Sequence, residues 1–434
     1  MLTDQQRNKA FNIIIVTQCL GMLSSSFFQN GFFLNYFTEL GISSSSIAFL
    51  IAGLPSLVGA LLMLPFAYLA DRKGKMRLAL IGQVLVVGGL ALTFAAGWFG
   101  PGAAWAVIAG SIIVGSIGGS LQGASWFALL SPIIPKEIRG RFFGRLRVTF
   151  QTVTIVFSLL IAKALGMSHA MAVFQAIVGI AVVAQAIRYF TYSRIPELEK
   201  EHDEVKPRQS FWQSLVSVFQ ISGYGQFNGY ILLITLFTSG VPIVFGLMQK
   251  DVFGFSPAQI TLMGTFFLAG SVAGNVIGGP LVDRLGTRIV FLLAHVSYAV
   301  VLLGMLARHW VPWPLTIHAG LCAFFFSLLQ GTKGIATTSE MLGLIPASNR
   351  SLSTSVCMTL FSLGAAASGM FVSRSIAWGI LSPKWQMLGR EFTAYDSLLL
   401  AFAFMILLLL ATIGLVPKII KKAQLFPGSG YPRI

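Results

Sequence analysis

"PFAYLADRKGKMRL", residues 65–78, and "GGPLVDRLGTRIVF", residues 278–291, write one short phrase twice. Asp71, Arg72, Gly74 and Arg77 in the first stretch answer to Asp283, Arg284, Gly286 and Arg288 in the second, with 212 positions between the two aspartates. Each phrase stands between long apolar runs, in a chain of 434 residues that is 55% hydrophobic and 10% charged. Soluble domains carry about a quarter charged residues, so the composition marks an integral membrane protein. A helix needs roughly 20 apolar residues to cross a hydrocarbon core about 30 Å thick. Twelve runs meet that length: 11–38, 45–70, 76–98, 102–132, 141–166, 170–192, 225–250, 257–282, 288–307, 312–345, 350–381 and 394–416. Membrane strands are much shorter and alternate in polarity, so the runs predict helices and exclude a barrel.

The formal net charge is +16, which would suit a nucleic-acid binder if the charge formed one patch. It does not. With loops assigned alternately to two sides, 23 of the 30 Lys and Arg residues fall on the side that holds both termini, Arg188 among them. Six fall at the other side and one, Lys333, lies inside a span. Basic loops resist translocation, so both termini are expected in the cytoplasm. The charge then implies a lipid bilayer as partner and no nucleic acid. A bacterial inner (plasma) membrane is the expected location. Cys19, Cys322 and Cys357 lie in predicted spans without metal-ligand spacing, which predicts neither a disulfide nor a metal site. The polar first ten residues lead into an apolar run too long for a signal-peptide core, so the first span is expected to be retained.

Other landmarks recur at nearly the same interval. Gly41 and Gly254, Ser43 and Ser256, and Ile47 and Ile260 are each 213 apart. "LQGAS" (121–125) parallels "LQGTK" (329–333) at 208, and Pro135–Pro346 and Arg139–Arg350 both fall at 211. Recurrence at a fixed interval marks an internal repeat. Four segments are expected: a six-helix bundle over 1–192, a linker over 193–224, a second six-helix bundle over 225–416 and a tail over 417–434. In the linker, Trp212, Leu215, Val216 and Phe219 share one helical face, which predicts a short helix lying on the membrane surface.

Two parallel six-span halves are a transporter architecture with the solute site near the midplane between them, and on these motifs the chain resembles the major facilitator superfamily over nearly its whole length. The family's phrase between its second and third spans is Gly-x3-Asp-Arg-x-Gly followed by basic residues. The second copy supplies it as Gly279, Asp283, Arg284, Gly286 and Arg288, while the first has Ala67 where the leading Gly is expected. "RGRFFGR" (139–145) resembles the basic loop after the family's fourth span. The resemblance implies an all-α polytopic fold of twelve transmembrane helices in two pseudo-symmetric bundles. It also implies a cytoplasmic gate built from Asp71, Arg72, Gly74, Arg77, Arg139, Asp283, Arg284, Gly286, Arg288 and Arg350, with Asp71 facing the start of span eleven. Physically, an aspartate there can accept hydrogen bonds from arginine or from a helix N-terminus, and the glycine permits a tight turn. The plainer reading, that the loops only enforce orientation, accounts for the basic residues but not for a paired Asp and Gly at fixed spacing.

In the family, spans one, four, seven and ten line the cavity. On span ten, His318, Cys322, Phe326, Gln330, Lys333, Thr337 and Glu340 follow at intervals of three or four and share a face. An ammonium at mid-membrane costs at least ~2.5 kcal/mol if it faces lipid. Lys333 is therefore expected to meet water, a carboxylate or an anionic ligand, or else a helix carbonyl. Glu340 is a candidate proton carrier or gate residue; the alternative places it in a cytoplasmic network with Arg350. Span one adds Ser25, Gln29 and Phe33, span four Gln122 and Trp126, and span seven Thr235. Each of these serves equally well as glue between helices.

Span five lacks the Gly-Pro signature of the family's proton-coupled drug antiporters, span one lacks the Glu-x-x-Glu-Arg pattern of its peptide transporters, and "RIPE" (194–197) only faintly resembles the sugar-porter phrase. No nucleotide-binding loop is present, and no cofactor is expected. The expected function is secondary active or facilitative transport of a small organic solute by alternating access, with an anion or amphipathic molecule among the candidates, with or without a co-transported proton or other ion, in a monomer. A non-transporting sensor or assembly protein on the same scaffold is the rival, and an enzyme is not expected.

Overall fold

The computed structural model describes residues 3–130, 132–135, 139–198, 216, 218–344 and 350–414. Helix α1 runs Asp4–Ser25, turns through Ser26–Phe28 and resumes as Phe32–Glu39. Helix α2 begins as Ser44–Ala48, passes a π turn at Phe49–Gly53 and continues as Leu54–Lys73. Then come α3 (Lys75–Ala95), α4 (Pro101–Leu130), α5 (Arg139–Met167) and α6 (Met171–Tyr192). In the second half α7 is Tyr224–Thr238 and Val241–Asp251, and the run Pro257–Leu306 breaks at Gly286 into α8 and α9. Helices α10 (Leu315–Leu344), α11 (Arg350–Ala377) and α12 (Ala394–Leu409) complete it. The twelve expected spans are present, with ends shifted by a few residues. Helix α1 starts seven positions before its predicted span because Thr3 and Gln6 form a reciprocal capping box. The predicted surface helix around Trp212 and the tail after residue 414 lie outside the described residues.

Among the described residues, the strands are those of a hairpin of β1 (Lys384–Met387) and β2 (Arg390–Thr393) between α11 and α12. Positive φ at Leu388 and Gly389 gives the tight two-residue turn that such a hairpin needs.

The repeat seen in the sequence is also a repeat of backbone geometry. Gly74 and Gly286 both take positive φ, 93° and 79°, and both end one spanning helix and open the next. A side chain at either would be strained. Ser43 and Ser256 both cap helix N-termini, accepting from Ser46 N at 3.4 Å and Gln259 N at 3.3 Å. We call the face where α1 begins, and where Gly74 and Gly286 lie, proximal; Gly41 and Gly254 mark the distal face.

All hydrogen bonds described between the two halves lie in the distal part. Asn35 Nδ2 on α1 donates to the Pro257 carbonyl (2.9 Å) and Thr261 Oγ1 (3.2 Å) on α8. Ser44 of α2 donates to Asp251 at the end of α7 (2.9 Å), Ser373 of α11 donates to the Ser45 carbonyl (2.8 Å), and Ser158 of α5 shares a hydrogen with Thr265 of α8 (2.8 Å). Backbone meets backbone across the same seam, Gly264 against Asn30 and Gly369 against Gly53.

One buried ion pair fastens the distal end of the second half. Arg308 Nη1 and Nη2 donate to Asp396 Oδ1 and Oδ2 at 2.5 and 2.9 Å, and Asp396 also accepts from Thr393 at the start of α12. The side chains are 4% and 0% exposed, so neither charge can fall back on water. Asp396→Asn is expected to cost about 3 kcal/mol or more, because it leaves a buried guanidinium unpaired. Arg308→Met combined with Asp396→Leu is expected to recover most of the loss. Melting temperatures of the three proteins in one detergent check this.

Candidate functional site

Each half gathers polar side chains where its first spanning helix is interrupted, and each gathering contains one buried cation. In the second half the cation is Lys333, eleven residues, or about 17 Å, inside the proximal end of α10. It is 7% exposed. Its Nζ donates to Thr238 Oγ1 at a long 3.4 Å and sits 5.8 Å from the centre of the Tyr298 ring on α9. Thr238 ends the first segment of α7, so the ammonium rests at a helix C-terminus, whose partial negative charge favours a cation by roughly 0.3–1 kcal/mol. His295 lies in the same pocket, with Nδ1 2.6 Å from the Phe291 carbonyl and Nε2 3.5 Å from the Tyr230 hydroxyl. The Thr235 and Tyr298 hydroxyls are buried without a hydrogen-bond partner among the described residues. None of the 14 Asp and Glu residues lies deeper than four residues inside any spanning helix, and among the described residues no carboxylate pairs with Lys333.

In the first half the cation is Arg188 of α6. Placing it among the loop residues of the side that holds the termini is corrected by the structure: it is buried, 9% exposed, inside the bundle. The run to Tyr192 is helical, and helical side chains lean toward the helix N-terminus, which carries the guanidinium inward from the proximal face. Its Nε donates to the Thr17 carbonyl of α1 (3.1 Å), and its Nη1 to Gln122 Oε1 of α4 (2.8 Å) and Gln185 Oε1 (3.4 Å). Gln83 of α3 donates to the Gln185 carbonyl and side chain (2.7 and 2.8 Å) and accepts from Gln122 (2.7 Å). Gln185 in turn donates to the Gly21 carbonyl (3.1 Å) and Ser24 Oγ (2.5 Å), at the end of the first α1 segment. Gly21 makes room for the guanidinium, since a Cβ there would stand 2.5 Å from Cζ.

The predicted site residues divide between these clusters and elsewhere. Gln122 and Lys333 are at their centres; Thr235 borders the second, and Trp126 packs on Tyr192 (5.7 Å between ring centres) beside the first. Gln330 is half-buried one turn before Lys333. Ser25 and Gln29 are exposed at the interruption of α1, whereas Phe33 is buried against Phe28 and Phe37. His318 is not brought to Lys333. It sits near the distal end, Nε2 2.8 Å from the Gly304 carbonyl, with Trp313 donating to its Nδ1. Glu340 accepts from Thr287 at 2.5 Å, just past the Gly286 turn, which joins α10 to α9 at the proximal end. Asp283 and Arg284 are exposed and Arg288 is half-buried. The side chains of Asp71, Arg72, Arg139 and Arg350 lie outside the described ones.

The face of α10 selected by periodicity therefore meets α7 and α9: Phe326 packs on Phe245 and Tyr298, as Lys333 does on Thr238 and Tyr298. Sequence reasoning missed Arg188, Gln83, Gln185, His295, Tyr298 and Thr238. One signal was available, since His295 follows Gln83 by 212 positions, the interval between Asp71 and Asp283.

Residues 14–369 match the sequence profile described as the Major Facilitator Superfamily. The chain belongs to the major facilitator superfamily. It is an integral, multi-pass membrane protein with the transporter fold of that superfamily. Among solved structures, a bacterial homologue of the human lysosomal transporter Spinster, inward-facing and unoccupied, superposes with a TM-score of 0.68 at 13% identity over 96% of this chain and 98% of that one. A mutant of the nucleoside transporter NupG gives 0.67 at 14% identity over 94% and 98%. A POT family transporter in complex with a thioalcohol-conjugated peptide gives 0.65 at 15% identity over 95% and 97%. At such identities the likeness establishes the fold alone. No curated protein matches the sequence.

Proposed function

We propose that this superfamily member is a secondary transporter that moves a small organic anion by alternating access, with Lys333 as the counter-ion of the solute. The observation that carries the reading is a nearly fully buried ammonium with one long hydrogen bond and, among the described residues, no carboxylate paired with it. A charge in that position is costly, and a helix C-terminus offsets only part of the cost. A bound anion offsets the rest and converts that energy into affinity. The exposed polar Ser25 and Gln29 on α1 give the solute a wet route along the seam. The hydrogen bonds across the distal seam belong to the distal-closed state. The duplicated Asp-Arg-x-Gly turns, with Glu340 bonded beside the second of them, are the elements that would close the proximal side.

The distribution of basic residues supports a cytoplasmic proximal face, with both termini inside a bacterial plasma membrane. The structural neighbours include a nucleoside transporter and a transporter in complex with a conjugated peptide; the buried cation favours a negatively charged solute over these. Uptake by the purified protein in proteoliposomes, with a panel of radiolabelled organic anions and neutral analogues of the same skeletons, tests the reading. Transport is expected for at least one anion and not for its neutral analogue. Movement of neutral analogues alone would remove the counter-ion role, and a protein that moves nothing would favour a sensor or assembly role.

A further inference from the structure

Lys333 accounts for one buried cation, and Arg188 is a second that the proposed site does not use. The two belong to opposite halves. The repeat relates their surroundings: Arg188 donates to Gln122, whose counterpart 208 positions on is Gln330, one helical turn before Lys333. From the outer helix α6 the guanidinium reaches between α1 and α4, bonding to both. Its Nε and Nη1 are occupied by Thr17, Gln122 and Gln185, all neutral acceptors, while Nη2, the donor common to both edges of the fork, has no hydrogen-bond partner among the described residues. The ion pairs described elsewhere in the chain, Lys250–Asp251, Arg308–Asp396 and Lys384–Glu391, leave both cations out. A guanidinium presents its donors in a fixed plane suited to carboxylate or phosphate oxygens.

Charge counting then limits the solute. A neutral solute leaves two buried cations uncompensated, and a monoanion leaves one. We propose that the solute is a small organic dianion, with one charge taken by Lys333 and the other by Arg188 across the seam. The inference rests on the reading of Lys333 given above and adds the valence of the solute and a second contact. Gly21 is part of this contact, because the flat guanidinium lies where its Cβ would be. The competing role for Arg188 is a brace between α1, α4 and α6 that never meets solute.

The test uses the full chain in nanodiscs of phosphatidylcholine, with ligand-induced thermal stabilisation as readout. The probes are C3 to C6 dicarboxylates with their half-amides, and glycerol phosphate with its methyl ester, so that each dianion has a monoanionic twin of the same skeleton. At least one dianion is expected to bind ten-fold or more tighter than its twin. Arg188→Gln is expected to reduce that ratio at least ten-fold while leaving the monoanion within about threefold. Gly21→Ala, which displaces the guanidinium but keeps its charge, and Arg188→Lys, which keeps the charge but loses the fork, should act in the same direction. These two variants supply the result if Arg188→Gln does not fold.

An unchanged ratio in the folded variants makes Arg188 a brace and overturns the proposal while leaving Lys333 in place. Monoanions binding as well as their dianionic twins would do the same. If Lys333→Gln leaves the affinity of every anion intact, or no anion binds, the reading of Lys333 falls as well. An effect of Arg188 that appears only after phosphatidylglycerol is added to the nanodiscs would assign it to lipid headgroups and also overturn the proposal.

Discussion

Lys333→Met is expected to lower uptake of the anionic solute at least ten-fold while raising the melting temperature of the ligand-free protein. The two effects have opposite signs because they come from one uncompensated charge. Hydrogen bonds to charged groups contribute about 1.5–3 kcal/mol, and each 1.4 kcal/mol is a factor of ten in affinity, so losing the contact to a bound anion predicts a ten- to hundredfold loss. In the empty protein the same ammonium has only the Thr238 hydroxyl at 3.4 Å and the face of Tyr298. A cation at the centre of a spanning helix costs roughly 2.5–3.5 kcal/mol, of which the C-terminus of the first α7 segment returns up to about 1 kcal/mol. Methionine follows the same path without the charge and fills the space among Thr238, Tyr298 and Phe326, so the ligand-free protein should melt about 2 °C higher. A structural lysine would behave in the opposite way, with its removal lowering the melting temperature and lowering transport only in proportion to the folded fraction. Uptake in proteoliposomes and a melting curve on the same preparation separate the two. The neutral analogue of the transported anion is expected to lose little.

Spanning helices were legible because length and hydropathy alone decide them in a bilayer, where each backbone polar group must find its partner inside the segment. The two-fold repeat was legible as well, since Gly74 and Gly286 have no alternative to glycine at positive φ and Ser43 and Ser256 have the same capping task. The hairpin at 384–393 was not, because its stability comes from the stacking of Trp385 on Phe392 and the packing of Phe392 beside Arg308, contacts with no trace in a short polar loop. At the site, periodicity grouped His318, Phe326, Lys333 and Glu340 on one face of α10, but a helical face does not name the helix it meets. The four are strung along the length of α10, and the structure separates His318 from Lys333 by 15 residues, about 22 Å. Arg188 was hidden by its position near the end of an apolar run, where a basic residue ordinarily marks the membrane boundary. Gln185 three residues earlier was the sign that this face of α6 turns inward.

Gly264→Val is expected to abolish most transport while leaving the melting temperature within a few degrees of the parent. A Cβ on Gly264 of α8 would fall on the backbone of Asn30 in α1, and one on Gly369 of α11 would fall on the backbone of Gly53 in α2. Backbone cannot move aside as a flexible side-chain tip can, so the halves must separate at the distal seam, breaking the bonds from Asn35 to Pro257 and Thr261. Each half keeps its own packing, because the obstruction lies between them. Gly246→Ala is the mild control, since its Cβ would meet only the end of the Leu34 side chain, at 2.7 Å. Gly270→Val is the severe one, with its Cβ against the Phe324 carbonyl inside the second half, and it should fail to fold. Alternating access requires the distal seam to open and close in every cycle, so a wedge there holds the carrier distal-open. In sealed vesicles of known orientation, a Gln29→Cys reporter on the exposed face of α1 should then react with an impermeant maleimide from the distal side in Gly264→Val, and from the proximal side in the parent. Equal labelling from both sides in the two proteins, with transport intact, would mean that this seam does not part during the cycle.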